Sequence, residues 1–211
     1  MLELIFNSFV TLLVVIDPLG LAPLFVGLTR DRSEAYKREA AIRGTALGAG
    51  ILFLFALVGQ GLLGALGIGV PAFRIAGGAL LFLLSVDLVF ARPSGRRRAT
   101  APEREEAQEE NKEDISVFPL AIPLIAGPGS LTTVLLYTGN GDVLEVAAVM
   151  GVLLIVLSLV LASLLVASRI MRVFGETGAN VFSRVLGVLL AALAVQFILD
   201  GIQTSFALAQ T

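Results

Sequence analysis

The chain is 211 residues long, 56% hydrophobic and only 15% charged, with a formal net charge of −2 and a mean hydropathy of +0.91. That balance leaves too little polar surface for a soluble domain of this length and matches a chain that lives in a bilayer. Cysteine and histidine are both absent, which excludes disulfides, thiol nucleophiles, Ser-His triads and the usual zinc sites, so ionic chemistry rests on Asp, Glu, Arg and Lys.

Six apolar spans are expected, at 4–28, 44–66, 71–91, 116–138, 144–167 and 183–207. The first is preceded by Glu3 rather than a basic cluster and is followed by no small-residue cleavage site, so it reads as a retained span and not a signal peptide. It contains VVIDPLGLAP, residues 14–23, where Asp17 is the only formal charge and Pro18, Gly20 and Pro23 follow within a few positions. Proline deletes a backbone donor and clashes with the preceding turn, so the span should split into two half-helices near its middle. In the second span Gly44 and Gly48 stand four apart and read as a site of close helix packing. Arg74 and Asp87 sit towards opposite ends of the third span, as helix-end anchors.

Between spans three and four lies RPSGRRRATAPEREEAQEENKED, a solvated linker in which seven acidic residues outnumber six basic ones, with room for a short helix at 103–113. It separates a first three-helix unit, 1–91, from a second, 116–211, with 92–115 as the linker. The fourth span carries PLAIPLIAGPGSLTT, residues 119–133, broken like the first. In the sixth span Gln196 and Asp200 share one face, and in the first Asn7 and Thr11 do so at an outer vestibule.

Charge sets the orientation. Fourteen of the fifteen basic residues fall in the 1–2, 3–4 and 5–6 connections or at their edges, and Arg74 alone lies towards the opposite side. By the positive-inside rule these connections are cytosolic and both termini face outward, in the cytoplasmic (inner) membrane of the cell.

The two halves also read as a repeat. A shift of 110 residues lays Asp17-Pro18 on Gly127-Pro128 and Arg74-Ile-Ala-Gly77 on Arg184-Val-Leu-Gly187. Three spans per half is an odd number, so the second half runs through the bilayer in the opposite sense. The expected fold is therefore an all-α polytopic protein of six transmembrane helices, built from two inverted three-helix repeats.

Paired interruptions at matching positions point to a midplane binding site, whereas either break alone reads more simply as a packing kink. Pro18 and Pro128 each suit the first position of a restarted helix. Asp17 is then placed to cap the first, accepting from amides near Gly20. Gly127 has no side chain to cap the second, so the amides of Gly129 and Ser130 are open to an anion, with the hydroxyls of Thr132 and Thr133 nearby. One end suits a carboxylate and the other an ammonium group or a coupling cation, which together describe a receptacle for a zwitterion. The plainer account is that Asp17 is a buried cap and Ser130 caps the other half-helix without any ligand.

The motifs IDPLGLAPLF, RIAGGALLF, PLAIPLIAGPGS and VQFILDGI resemble the MarC family of six-span integral membrane proteins over nearly the whole chain. The resemblance implies transport of small neutral amino acids and kinship with the LysE group of exporters. It places Asp17, Pro18, Gly20, Pro23, Pro123, Gly127, Pro128 and Gly129 at the family's motif positions. Ser130, Thr132, Thr133 and Gln196 complete the candidate substrate and ion site. No catalytic or metal-binding residue and no cofactor is expected beyond a coupling ion, Na⁺ or H⁺. The expected partners are the lipid bilayer and a small zwitterionic solute, with no nucleic acid, and the oligomeric state is left open.

Three rivals differ in kind. An intramembrane aspartyl hydrolase would need Asp142, from GNGD, within bonding distance of Asp17. Asp142 falls in the short 4–5 connection, about 10–15 Å of depth from mid-membrane. The others are an exporter or channel for other small solutes and a purely structural membrane protein.

Overall fold

The computed structural model describes residues 1–29, 32–90, 114–139 and 141–208. Among them every element is helical: α1 (Leu2–Ile16), α2 (Pro18–Leu28), α3 (Glu34–Ala65), α4 (Val70–Val89), α5 (Ser116–Ile125), α6 (Pro128–Thr138), α7 (Val143–Leu165) and α8 (Ala167–Leu208). Most of the 92–115 linker, with its expected helix at 103–113, lies outside the described residues, as do the side chains of Pro123 and Asp87.

Leu2–Leu28 taken across its break, Glu34–Ala65, Val143–Leu165 and Arg184–Phe206 are long and apolar enough to cross a membrane, and Val70–Val86 is a shorter apolar helix. The outer surface agrees. Leu57 is 67% exposed, Leu54 62%, Leu154 58% and Val188 58%, which would be an aggregating surface in water and is an ordinary one against acyl chains.

Both expected breaks occur. α1 ends at Asp17 because Pro18 disfavours the right-handed helical region for the residue before it. Pro23, by contrast, does not interrupt α2: the helix runs through it to Leu28. The second break is more elaborate. Phe118 and Ile122, the residues preceding Pro119 and Pro123, take extended conformations (φ −130°, ψ 128° and φ −128°, ψ 125°) inside α5. The Leu120 and Ala126 amides donate five residues back, to Ile115 and Ala121, so α5 is a wide and irregular turn.

Two helices extend beyond the expected spans. Ser33 caps α3 by accepting from the Tyr36 amide at 3.2 Å, so the helix starts ten residues before the apolar stretch at 44–66. Its 32 residues reach about 48 Å, against a hydrocarbon core of about 30 Å. The projecting turns are charged, with Lys37 on Glu34 at 2.7 Å and Arg32 over the Tyr36 ring. α8 likewise fills the expected 168–182 connection with helix and is 42 residues long.

Each broken helix rests on the unbroken helix of the opposite half. α3 packs along α5 and α6, and α7 packs along α1 and α2. α2 touches α8 as α6 touches α4, and the α4–α8 contact is the most extensive between any two helices. The glycines at 44 and 48 do what their spacing implied. A Cβ at Gly44 would fall on the Leu120 side chain, and one at Gly48 would lie 2.7 Å from Ile125, so α3 approaches α5 closely only because both are bare. The larger core joins Leu12, Ile16 and Phe25 to Leu52, Ile125 and Leu153; a smaller one joins Val15 and Leu81 to Leu190, Ala194 and Phe197.

Candidate functional site

Asp17 is at once the last residue of one helix and the cap of the next. Its amide donates to the Leu13 carbonyl and its carbonyl accepts from the Leu21 amide, both at 3.0 Å. Its Oδ1 accepts from the Gly20 amide at 2.8 Å. To do this it adopts φ 53°, ψ 69°, and it is the only non-glycine residue with positive φ among the described residues. Asp visits that region more readily than most residues because its short polar side chain bonds locally. Glycine at position 20 is a steric need: a Cβ there would sit on the Asp17 carboxylate.

The matching position in the second half is built differently. Gly127 is extended (φ −78°, ψ 170°), a conformation open to any residue, so backbone geometry does not explain the glycine. Its consequence is that no side chain caps α6. The two breaks meet at this point. A Cβ on Gly129 would run into Leu81 of α4 and lie 3.2 Å from Val15, the residue two before Asp17. The start of α6 thus lies against the last turn of α1.

The hydroxyls sort themselves. Thr132 Oγ1 donates back to the Pro128 carbonyl at 2.8 Å, and its side chain occupies the space a Cβ on Gly77 would need. Thr133 is fully buried and its Oγ1 has no hydrogen-bond partner among the described residues. Ser130 is buried at the first turn of α6 without capping it. Pro18, Gly20, Gly127 and Gly129 are buried as well, whereas Asp17 is half-buried and Pro128 is exposed.

Three further placements are informative. Ser163 of α7 is buried and donates to the Pro18 carbonyl at 2.6 Å, tying α7 to the first turn of α2. Nothing in the sequence separates it from Ser158, which bonds back within its own helix to Leu154 at 2.8 Å. Thr11, half-buried, shares a 3.1 Å hydrogen bond with the Tyr137 hydroxyl of α6, while Asn7 is exposed. Gln196, expected at the site, lies on the exposed face of α8 and donates to Asp200 at 2.7 Å, because the buried face is formed by Leu190, Ala194 and Phe197. Asp142 forms a capping box with Glu145 at the start of α7.

An ionic tie outside the spanning segments joins α3 to the start of α5. Asp114 accepts from the Ser116 hydroxyl at 2.6 Å and amide at 3.1 Å, and meets Arg43 of α3 at 3.1 Å. The hydroxyl bond chiefly, opposed by some burial and helped by the amide and Arg43, holds its carboxyl below the ordinary Asp range. No group of three or more acidic residues is gathered as a metal site among the described residues.

An all-helical chain with a lipid-compatible exterior and two discontinuous helices that abut at their breaks is a multi-pass integral membrane protein. The sequence profile described as "MarC family integral membrane protein" matches residues 2–206. The chain belongs to the MarC family. It is 37% identical to a UPF0056 membrane protein of Archaeoglobus fulgidus over 202 residues, covering 95% of this chain and 93% of that protein. It is 34% identical to a UPF0056 membrane protein of Aquifex aeolicus, over 93% of this chain and 91% of that one. Against the UPF0056 membrane protein YvbG of Bacillus subtilis it is 33% identical, over 98% and 97%. No solved structure matches.

Proposed function

We propose that this protein is a carrier of small neutral amino acids and not an enzyme, and that the solute binds between the two helix breaks. The observation that carries this reading is the asymmetry of the half-helix starts: α2 is capped by a carboxylate and α6 by no side chain. Free amides at a helix start attract an anion, and a carboxylate at mid-membrane attracts a cation. A zwitterion with its carboxylate at Gly129 and Ser130 and its ammonium group towards Asp17 satisfies both. Where Na⁺ or H⁺ drives transport, Asp17 is the group for it to meet.

The reading includes six spans in two inverted repeats, with both termini outside. It is supported by the exchange of partners between halves, α3 with α5 and α6 and α7 with α1 and α2, and by Asp17-Pro18 and Gly127-Pro128 each opening a helix. On this reading the two repeats rock about a fixed site in alternating access.

The test is counterflow of labelled L-alanine into proteoliposomes, with and without Na⁺, beside Gly127→Asp. The extended backbone at 127 accepts Asp, which would cap α6 as Asp17 caps α2 and repel a carboxylate. Expected is a folded variant with exchange reduced about tenfold or more. Normal exchange by Gly127→Asp would place the site elsewhere, and uptake that never shows counterflow would indicate a pore.

A further inference from the structure

Arg74 is the only cation within the apolar stretch Val70–Val86 of α4. Its Nε is buried with no hydrogen-bond partner, and no ion pair reaches it among the described residues. Arg74 as a whole is only half-buried, so its terminal nitrogens still reach outward as a helix-end anchor's do, while its Nε lies inside without a partner. A buried donor belonging to a charged group is costly to leave unpaired.

Its neighbours fix where it faces. Phe73 meets the Phe55 ring of α3 at 5.8 Å between centroids. Ile75 and the Pro71 carbonyl pack on Gly201 of α8, within 2.7 and 2.9 Å of where its Cβ would be. Gly77 and Leu81 pack on Thr132 and Gly129 of α6. Positions 74, 77 and 81 share one helix face, so Arg74 belongs to the face that looks at α6, one turn beyond the Gly77–Thr132 contact. The α4–α6 contacts run in opposite senses along the two helices, which puts Arg74 at the level of α6 beyond Thr132 and away from its start. That stretch opens with Thr133, whose buried hydroxyl is also without a partner among the described residues. The nearest acid along α8, Asp200, accepts from Gln196 instead.

We propose that Arg74, with the Thr133 hydroxyl, forms an anion subsite between α4 and α6 that receives a small carboxylate on its way to the start of α6. A guanidinium presents a fork of donors matched to a carboxylate, and a neutral hydroxyl adds one more. This extends the amino acid carrier reading: the solute's carboxylate meets Arg74 first and the amides at Gly129 and Ser130 next. A lipid phosphate has related chemistry, and the test separates the two.

Purified protein in detergent is unfolded thermally against propionate, which has the carboxylate alone, against propylamine, and against added phosphatidylglycerol. Propionate should stabilise the wild type and propylamine should not. In Arg74→Gln the propionate concentration giving half the effect should rise at least about tenfold. Arg74→Lys, which keeps the charge but not the fork, and Thr133→Val should each weaken it several-fold, and they carry the test if Arg74→Gln does not fold. In proteoliposomes the same variants should raise KM for L-alanine more than they lower kcat. Arg74-dependent stabilisation by propionate without L-alanine counterflow would sink the carrier reading and leave the subsite standing. An unchanged propionate response in the folded variants would overturn the subsite. So would Arg74-dependent stabilisation by phosphatidylglycerol that propionate fails to reproduce.

Discussion

Asp17 joins two duties that substitution can separate. As a cap it holds the Gly20 amide; as a charge it would hold a cation. Asn caps as well as Asp and tolerates the same left-handed backbone, but is neutral. Asp17→Asn is therefore expected to fold with an unchanged unfolding temperature while L-alanine exchange, or its ion dependence, falls about tenfold or more. Full exchange with unchanged ion dependence would leave Asp17 as architecture. Asp17→Ala should instead lose about 0.5–2 kcal/mol of stability, because the cap goes too. Ser163 is the reverse case, a residue with a packing duty alone. Ser163→Ala leaves the Pro18 carbonyl without its 2.6 Å donor. It should cost about 0.5–1.5 kcal/mol in thermal unfolding, with exchange per folded molecule preserved.

Among the helices, the tie between the projecting turns of α3 and the start of α5 makes a pH-dependent prediction. The Asp114 carboxyl titrates lower in the folded protein than in the unfolded chain, so the unfolded state binds the proton first. Its contribution to stability is full above the ordinary Asp range and disappears as pH falls through the lowered folded value. Asp114→Asn should therefore unfold a degree or two below the wild type at pH 7 and pH 5, and the gap should close as the pH is taken below about 3. The effect is kept small by solvent, since the Asp114 side chain is 37% exposed and that of Arg43 58%. A gap that widened in acid would show that the Arg43 and Ser116 contacts are not what Asp114 contributes.

For the molecule as a whole, orientation is the outstanding quantity, and the absence of cysteine makes it measurable. With Ser94→Cys in the 92–115 linker, an impermeant maleimide should label protein in inverted vesicles and leave intact cells unlabelled. Labelling from outside the cell would reverse the positive-inside reading and, with it, the side from which Arg74 is approached.

Residue types and spacing announced the membrane, both helix breaks, the cap at Asp17 and the glycine contact of α3, because each follows from local chemistry. Hydropathy counts apolar atoms, proline acts on its own turn, and a capping carboxylate reaches three residues along the chain. Helix extents were less legible. Charged, strongly helix-forming turns at Glu34–Arg43 resemble a loop to a hydropathy window, yet Ser33 caps them into α3. Pro23 resembles a break but is absorbed by α2. Which of two serines on α7 binds the first turn of α2, that Thr11 bonds to Tyr137, that Gln196 turns away and that the Arg74 Nε is buried were decided only by packing. Those assignments depend on helix rotation, and rotation is set by partners distant in sequence, so the polar groups buried here acquire their roles only when the two halves come together.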